Sequence, residues 1–226
     1  MDYSQAFRGI VTPDLSDACD ALGIEAITTG APKGVYAECR RICGPVVTYE
    51  LRPDAEGSVV IGTLEGIVSA APGSVLMFGT HERTDLNAWG SIAATVAVQQ
   101  RMAGVITDGS TRDIETMREL DFPTYAAGTV VTSVRGRIGL ASVNEPIPFA
   151  GGTVEAGWIA AADENGVIVF PPDNVEEVFQ RAYRVAALER KTLEAIRCGA
   201  DAVAIHKQLR YDATWTEQLN DDSLVG

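Results

Sequence analysis

The chain has 226 residues, of which 46% are apolar, and it carries a formal net charge of −13 at pH 7. This length and apolar content predict one domain with a sizeable core, and the negative charge disfavours direct binding to nucleic acids. Apolar runs such as "GWIAAA" and "GVIVF" are far shorter than the roughly 20 residues that a membrane span needs. Because "MDYSQAFRG" also lacks a basic and then apolar leader, we expect a cytoplasmic protein that does not bind a membrane.

The spacing of the cysteines and the absence of three common sequence motifs exclude further classes of protein. The four cysteines lack the spacing of a zinc ribbon, which favours reduced and mostly buried thiols. They are Cys19, Cys39, Cys43 and Cys198. No G-x-G-x-x-G follows a predicted strand, and no G-x-x-x-x-G-K-[ST] or G-x-S-x-G occurs. The sequence therefore gives no support to a dinucleotide site, a P-loop or a nucleophile elbow.

The first half of the chain alternates helices and strands. "TPDLSDACDALG" predicts a helix that Thr12 caps, with Pro13 in its first turn and Gly23 just past its end. Alternation in "ICGPVVTYEL" predicts a strand, spacing in "VVIGTLEGIVSAA" a helix, "GSVLMFG" a buried strand, and residues 88–102 another helix. This order predicts strands interleaved with helices.

In the second half the strands cluster before a long helix. "GVIT" predicts a strand, "RDIETMREL" a helix, "PTYAAG" and "TVVTSV" two strands, and residues 149–171 strands joined by tight turns. A long helix follows, with Asp173 or Asn174 as its cap and Gly199 as its stop, and then a short polar helical tail. We expect an α/β fold with helices layered on a mixed sheet, formed by a single domain over residues 1–226 with a C-terminal helical extension over about 173–226.

The stretch "GVITDGSTRDIETMREL" concentrates charge where a strand leads into a helix. Gly109 predicts a tight turn with positive φ that leaves backbone N–H groups facing outward, which suits an anion. Arg112 has a guanidinium fork suited to a carboxylate, and Asp113 is an oxygen ligand of the kind that Mg²⁺ or Mn²⁺ accepts. An alternative stays open, in which Asp113 caps the helix, Arg112 is solvated and Glu115 complements the helix dipole.

A second stretch, "DLNAWGSIAATVA", also places a glycine directly before a helix. The backbone amides of Ser91, Ile92 and Ala93, after Gly90, are expected to form a second anion cradle, because the first N–H groups of a helix have no intrahelical acceptor.

These stretches carry a resemblance to a known family. "NAWGSIAATVAVQQRMAGVITDGSTRDIETM", "GGTVEAGWIAAADENGVIVFP" and "LERKTLEAIRCG" resemble the family that unites 4-hydroxy-4-methyl-2-oxoglutarate aldolases with the regulator of ribonuclease activity A. The resemblance runs from about Asp14 to Gly199. It implies a swivelling (phosphohistidine-like) α/β sandwich and a divalent-metal pyruvate aldolase and oxaloacetate decarboxylase. It also implies homotrimers or homohexamers with sites between subunits.

The same resemblance implies a role for each matching residue. Asp113 matches the metal ligand, Arg112 matches the residue that holds the carboxylate and keto end of a 2-oxo acid, and the amides after Gly90 match those that bind the carboxylate. Glu115 would support the metal through its water shell. Glu189 falls where such aldolases contribute a catalytic acid across the subunit interface, although an ordinary surface glutamate would look the same.

The chain departs from the family pattern at Ser91, twenty-one positions before Arg112. The family's aldolases carry an acid there, in "G-[DE]", and that acid is implicated in proton transfer. A serine at this catalytic position is a poor general base, which favours decarboxylation over aldol cleavage unless another group acts as base. Candidates for that base are His81, Glu82, Asp85 and Glu115. Tyr125 and Arg135 are further residues that could reach a pocket.

Two rival functions stay open beside the lyase. One is a noncatalytic regulator that binds protein partners, which the missing acid at Ser91 favours and which the complete "RDIE" together with Glu189 disfavours. The other is a lyase or hydrolase with a divergent substrate on the same metal and carboxylate platform.

Overall fold

The computed structural model describes residues 1–209 of the chain. The helices are α1 (Tyr3–Ala6), α2 (Thr12–Leu22), α3 (Val59–Ser69), α4 (Ser91–Gln99), α5 (Ile114–Glu119), α6 (Val175–Arg197) and α7 (Ala202–Leu209). The strands are β1 (Ile27–Thr29), β2 (Lys33–Gly34), β3 (Ile42–Arg52), β4 (Val75–Gly79), β5 (Asn87–Trp89), β6 (Gly104–Thr111), β7 (Thr124–Thr129), β8 (Gly139–Val143), β9 (Ile147–Phe149), β10 (Gly152–Val154), β11 (Ile159–Asp163) and β12 (Gly166–Phe170).

One mixed sheet organises these elements, in the order β1-β12-β11-β3-β4-β6-β7-β2. Its centre is parallel, because β4 pairs with both β3 and β6, and β7 pairs with the far side of β6. On one flank the pairing is antiparallel, because β11 pairs with β12 on one side and with β3 on the other. The short β5 adds a further parallel pairing to β6. The parallel centre directs the carboxyl ends of β5 and β6 toward the same edge.

The central strands are apolar along their whole length because both of their faces are buried. In β4, Val75 and Met77 point into one core cluster while Leu76 and Phe78 point into another. Successive side chains of a strand project to opposite faces, so a fully apolar run is the pattern of a strand covered on both sides.

Helices cover the sheet in two groups. Helices α3 and α4 pack against each other and contribute Ile67, Ala94 and Ala97 to the cluster that surrounds Tyr49 and Phe78. Helices α1, α2 and α6 lie at the other end, where the apolar face of α6 joins a cluster with strands β11 and β12. The long C-terminal helix is therefore packed into the core of the fold.

Four local expectations from the sequence are wrong. Val11 is the N-cap of α2, and Thr12, which was expected to cap this helix, is its first residue.

The other three lie in the middle of the chain. Residues 88–89 belong to β5, so the helix predicted over 88–102 begins only at Ser91. Gly109 lies inside β6 without a positive φ, and its lack of a side chain serves packing, because a Cβ would lie 2.5 Å from Thr80 Oγ1. Residues 130–134 form a loop with a single bridge from Ser133 instead of a strand.

The mixed α/β architecture is confirmed, whereas the swivelling type and the domain division stay predictions. The polar helical tail is seen as α7 up to Leu209, and the predicted extension beyond it, residues 210–226, lies outside the described residues. No described helix has the length and apolar character to cross a membrane. The four cysteines are free thiols, with Cys19 and Cys43 buried.

Candidate active site

The strand register brings the two charged stretches of the sequence together. Strands β5 and β6 run parallel with Trp89 opposite Thr111, and the Arg112 N–H donates to the Trp89 carbonyl at 3.2 Å. The residues that leave these strands, Ser91 and Asp113, therefore meet, although they are 22 positions apart. The residues between them form one helix, α4, and one strand, β6.

Asp113 holds the start of helix α4 instead of its own helix. It adopts the left-handed conformation, with φ 60°, and makes no side-chain cap to α5. Its Oδ2 accepts the backbone N–H of Ser91 at 3.0 Å. This hydrogen bond lowers the pKa of Asp113, and the Ser91 hydroxyl and the Arg112 guanidinium act in the same direction against partial desolvation. Asp113 is therefore an ionised carboxylate at neutral pH.

Gly90 makes this contact possible. Its φ of −165° is extended backbone that any residue adopts, so its role is steric. A Cβ on Gly90 would lie 3.0 Å from Asp113 Oδ2 and 3.8 Å from Arg112 Cγ. The glycine lets the carboxylate and the arginine approach the helix start.

Arg112 and the α4 amides retain hydrogen-bonding capacity. The Arg112 Nε lies 3.8 Å from Asp113 Oδ2, too far for a hydrogen bond, and it is a buried donor without a partner. Helix geometry leaves the N–H groups of Ile92 and Ala93 without an intrahelical acceptor, because Ala94 is the first residue to donate within the helix. Asp113 already occupies the Ser91 amide, so the cradle consists of two amides where three were expected.

A cleft joins these groups to helix α3 and to the loop after β7. Its walls are Val59, Val60, Thr63, Leu64, Asn87, Ala88, Trp89, Gly90, Ser91, Ile92, Ala93, Arg112, Asp113, Ser133, Val134 and Arg135. Sequence reasoning missed Thr63, which carries no local signal in an amphipathic helix, and named Arg135 without being able to place it. Tyr125 is buried elsewhere, and its hydroxyl donates to the Arg40 carbonyl.

A model of the RraA-like family, described as Aldolase/RraA, matches residues 12–169. The chain belongs to this family. It is 28% identical to a candidate 4-hydroxy-4-methyl-2-oxoglutarate aldolase of Halalkalibacterium halodurans, over 87% of the chain and 89% of the relative. Protein DlpA of Legionella pneumophila is 26% identical over 89% of the chain, which spans only 33% of that longer protein.

Among solved structures, the fold is similar to that of an uncharacterised protein from Pseudomonas syringae pv. tomato. The two share a TM-score of 0.82 and 27% identity, and the match covers 90% of this chain and 92% of the other. The fold that the two proteins share therefore extends beyond the residues that the family model matches.

Two residues predicted from the family pattern do not line the cleft. Glu115 is exposed in the first turn of α5, where it complements the helix dipole. Glu189 is exposed on α6, on the side of the molecule that packs against α2. There burial raises the pKa values of Asp14 and Asp17, and the charge of Glu189 acts in the same direction. A role for Glu189 in a neighbouring subunit's site stays a prediction.

The other candidates for a base have different partners. The His81 Nε2 lies 3.1 Å from Glu50 Oε1, Arg83 pairs with Asp85 at 2.6 Å, and none of the three loop candidates lines the cleft. Asp108, in the same charged stretch as Arg112, is buried and accepts both the N–H and the hydroxyl of Thr80, at 2.7 and 2.8 Å. Desolvation raises its pKa, and its role is to hold the loop after β4.

The residues of the cleft fit a divalent cation that is bound largely by substrate and water. Within residues 1–209, no three His, Cys, Asp or Glu side chains gather as a ready-made metal cage. Asp113 is ionised and 36% exposed, and Ser91 is its hydrogen-bond donor, through the N–H and the hydroxyl, which leaves acceptor capacity on the carboxylate for a cation. Mg²⁺ commonly uses only one or two protein carboxylates and keeps several waters, so this donor set is compatible with it.

Proposed function

We propose that the chain is a divalent-metal-dependent lyase that breaks a carbon–carbon bond of a short 2-oxo acid through an enolate. The observation that carries the proposal is the start of α4, where an ionised Asp113, an unpartnered Arg112 donor and free helix amides face one cleft. Membership of the RraA-like family and the aldolase name of a relative of similar length support it.

The protein's own groups would bind the 2-oxo acid at its carboxylate end. The N–H groups of Ile92 and Ala93 donate to the substrate carboxylate, and the positive end of the α4 dipole favours its charge. The guanidinium of Arg112 donates to the keto oxygen, which becomes an enolate oxygen as the bond breaks. Donors fixed before the reaction stabilise such developing charge more than water does.

Asp113 has two tasks in this scheme. Its Oδ2 keeps the Ser91 N–H occupied and thereby sets the direction of α4, while its charge provides the site for Mg²⁺ or Mn²⁺. A cation bound there would supply the Lewis acidity that polarises the keto group.

The cleft favours decarboxylation over aldol cleavage. Asp113 is the one carboxylate among the cleft residues in the described part of the chain, and Ser91 stands where an acid would serve as base. Loss of carbon dioxide from a 3-carboxylated 2-oxo acid needs the electron sink but no base for a 4-hydroxyl group. Apolar side chains of Val59, Val60 and Leu64 line the same cleft and suit a departing neutral molecule.

We further propose that the active form is a homotrimer or homohexamer. Helices α3 and α4 expose Ile61, Val68 and Ile92 with 59%, 60% and 55% of their surface accessible. Ile92 also borders the cleft, so a second copy that covered this apolar face would wall the cleft as well.

Pyruvate release in a coupled dehydrogenase assay tests the function. Purified protein is incubated with Mg²⁺ or Mn²⁺ and either oxaloacetate or 4-hydroxy-4-methyl-2-oxoglutarate. Because metal ions alone decarboxylate oxaloacetate, the blank contains the same metal and an equal amount of the Asp113→Ala protein. The expected result is pyruvate above this blank, abolished by a chelator, with oxaloacetate turned over faster.

Absence of pyruvate above the blank with both substrates contradicts the lyase proposal. It would favour the noncatalytic regulator, for which the missing acid at Ser91 is the supporting observation, and a divergent substrate would be the remaining alternative.

A further inference from the structure

We propose that Thr63 and Trp89 hold the water molecule that protonates the third carbon of the enolate once carbon dioxide has left. The inference deepens the proposed function and rests on it, because Arg112 and the α4 amides hold the head of the substrate. It identifies the groups that take the place of the acid absent at Ser91.

The reaction needs a proton donor that the head of the site does not contain. When the carbon–carbon bond breaks, its electron pair passes into the enolate, and pyruvate forms only after the third carbon has taken up a proton. Asp113 is ionised at neutral pH and is the one carboxylate among the cleft residues in the described part of the chain. Arg112 and Arg135 keep their protons, because a guanidinium is not deprotonated in proteins. The donor is therefore a neutral group or a water molecule.

Three neutral polar side chains of the cleft are engaged within the protein. The Ser91 hydroxyl interacts with the carboxylate of Asp113. The Asn87 Nδ2 donates to the Trp89 carbonyl at 3.2 Å. The Ser133 Oγ accepts a backbone N–H of its own loop at 3.2 Å. These side chains hold the walls of the cleft together.

Two further polar atoms of the cleft are buried without a partner. Thr63 on α3 is 4% exposed and Trp89 at the end of β5 is 1% exposed, and neither the Thr63 Oγ1 nor the Trp89 Nε1 makes a hydrogen bond within residues 1–209. Both residues line the cleft. Buried polar groups normally pair with protein atoms or with ordered water. An indole N–H only donates, whereas a hydroxyl donates and accepts, so the two suit a water molecule, which needs at least two polar partners.

Packing turns Thr63 toward the sheet, where the aromatic side chains lie. Gly66 lies one turn later on the same face of α3, and a Cβ there would be 2.6 Å from the Tyr49 hydroxyl. The ring of Tyr49 stacks on Phe78 with 4.5 Å between their centroids, and Phe78 packs against Trp89 at 5.6 Å. Helix α3 therefore carries Thr63 against the row of rings that ends at Trp89.

The two groups lie on the side of the cleft where the third carbon of the substrate is expected. The start of α4 and Arg112 hold the carboxylate and the keto oxygen, so the third carbon points toward the remaining walls, which α3 and the loop after β7 form. The water gives one proton to this carbon and a C–H bond forms. The hydroxide left behind takes a proton from the solvent. In the reverse direction, hydroxide in the same place removes a proton from the methyl group of pyruvate.

Exchange of the methyl hydrogens of pyruvate with D₂O measures this step without cleavage of a carbon–carbon bond. Purified protein is incubated with Mg²⁺ and pyruvate in D₂O, and proton NMR follows the methyl signal. Thr63→Val keeps the shape of the side chain without the hydroxyl and should slow the exchange about a hundredfold. Thr63→Ser keeps a hydroxyl and should restore the exchange to within about threefold of the wild-type rate.

Tyr49→Phe is the matched control. It also removes a buried hydroxyl without a partner in residues 1–209, but Tyr49 is not among the residues that line the cleft. Its exchange rate should equal that of the wild-type protein. An equal loss in Tyr49→Phe and Thr63→Val would show that the hydroxyls act through packing, and it would overturn the role of Thr63 in proton delivery.

Binding of oxalate separates proton delivery from binding of the substrate head. Oxalate resembles the enolate of pyruvate at the head, and titration calorimetry in the presence of Mg²⁺ measures its affinity. Thr63→Val should change this affinity less than about twofold, and the melting temperature should stay the same or rise, because the lost hydroxyl has no partner. A loss of oxalate affinity as large as the loss of exchange would assign Thr63 to the head site and overturn the inference.

The fate of the enolate during turnover of oxaloacetate gives an independent measurement. The wild-type protein should release carbon dioxide and pyruvate together. In Thr63→Val, carbon dioxide should appear before pyruvate, because the enol leaves the site and converts to the keto form in solution. Simultaneous release by Thr63→Val at the wild-type rate would contradict the inference.

The outcomes distinguish failure of this inference from failure of the proposed function. If the wild-type protein forms pyruvate from oxaloacetate but Thr63→Val exchanges the methyl hydrogens at the wild-type rate, the water site is wrong and the lyase stands. If the wild-type protein neither forms pyruvate nor exchanges its methyl hydrogens in the presence of Mg²⁺, the proposed function is wrong and the inference falls with it.

Discussion

The first N–H group of two helices in this protein, α2 and α4, donates to an aspartate, but the two aspartates differ in their remaining capacity to bind a ligand. At the start of α2, the Thr12 N–H donates to Asp163, a residue 151 positions away. At the start of α4, the Ser91 N–H donates to Asp113, 22 positions away. In both cases an aspartate from another part of the chain occupies the first amide of a helix, where negative charge is stabilising.

The two aspartates differ in how many hydrogen bonds they accept. Asp163 is 5% exposed and accepts the N–H and the hydroxyl of Thr12 and the N–H of Asn165, each at 2.8 Å. The Asp113 side chain is 36% exposed and accepts one N–H at 3.0 Å. A carboxylate saturated by the protein holds the fold together, whereas one with remaining acceptor capacity can bind a ligand.

Replacing each of the two aspartates, Asp163 and Asp113, by alanine should change the stability of the protein by very different amounts. Asp163→Ala leaves the buried N–H and hydroxyl of Thr12 and the part-buried N–H of Asn165 without an acceptor. It should lower the free energy of unfolding by about 2–3 kcal/mol, because each orphaned buried donor costs about 1 kcal/mol or more. Asp113→Ala should cost less than about 1 kcal/mol. Chemical denaturation measures both, and equal losses would contradict the contrast.

Gly90→Ala should disturb the contact between Asp113 and the start of α4 for a steric reason alone. The added Cβ would meet Asp113 Oδ2 at 3.0 Å, so the carboxylate must shift by a few tenths of an ångström or more. Turnover should fall about tenfold because the catalytic groups lose their alignment. The melting temperature should barely change, since the extended backbone at Gly90 tolerates alanine. Wild-type turnover by Gly90→Ala would show that catalysis does not need the close approach of Asp113 to the backbone at Gly90.

Ser91→Asp tests whether the missing acid limits the reaction. The new carboxylate would supply a base beside Asp113, so aldol cleavage of 4-hydroxy-4-methyl-2-oxoglutarate should rise about fivefold relative to oxaloacetate decarboxylation. Ser91→Asn is the matched control, because it has the same shape without the charge. Equal ratios in the two variants would mean that Ser91 is not the limiting difference from the aldolases.

A smaller effect is expected on the acidic face of α2. Burial raises the pKa of Asp17 to about 6, and Asp14, Asp20 and Glu189 act in the same direction. Between about pH 4 and 6 the folded protein therefore binds more protons than the unfolded chain, and the free energy of unfolding falls as the pH rises. Asp17→Asn should raise stability at pH 8 by up to about 1 kcal/mol after solvent screening.

The same variant should lose its advantage in acid. Near pH 4 the wild-type Asp17 is protonated in the folded state and resembles asparagine, so the two melting temperatures should converge. A stability difference that does not depend on pH would show that the charge of Asp17 is not its cause.

Hydrophobic spacing together with cap and stop residues was sufficient to predict several helices. The helix predicted in "VVIGTLEGIVSAA" is confirmed as α3, and the long helix between its predicted cap and Gly199 is confirmed as α6. Gly109 was wrongly assigned to a turn because close packing against Thr80 also requires a glycine, and sequence cannot separate the two causes.

Only part of the candidate site could be predicted from the sequence. The resemblance pointed to the stretches around Gly90 and Arg112, and the parallel register of β5 and β6 explains physically why they meet. Thr63 joins the cleft only because α3 folds across it, and Arg135 only because Asn87 ties its loop to β5. These placements depend on contacts between distant segments, which no local pattern encodes.

The most direct test of the account is the rate of metal-dependent pyruvate release by Asp113→Asn. Asparagine keeps the shape and an oxygen that can accept the Ser91 N–H, so the variant should fold with nearly the wild-type melting temperature. It lacks the charge that provides the cation site, and turnover of oxaloacetate at saturating Mg²⁺ should fall by about a thousandfold. Wild-type turnover by a well-folded Asp113→Asn protein would contradict the central claim that the unsaturated carboxylate at the start of α4 is the reactive centre.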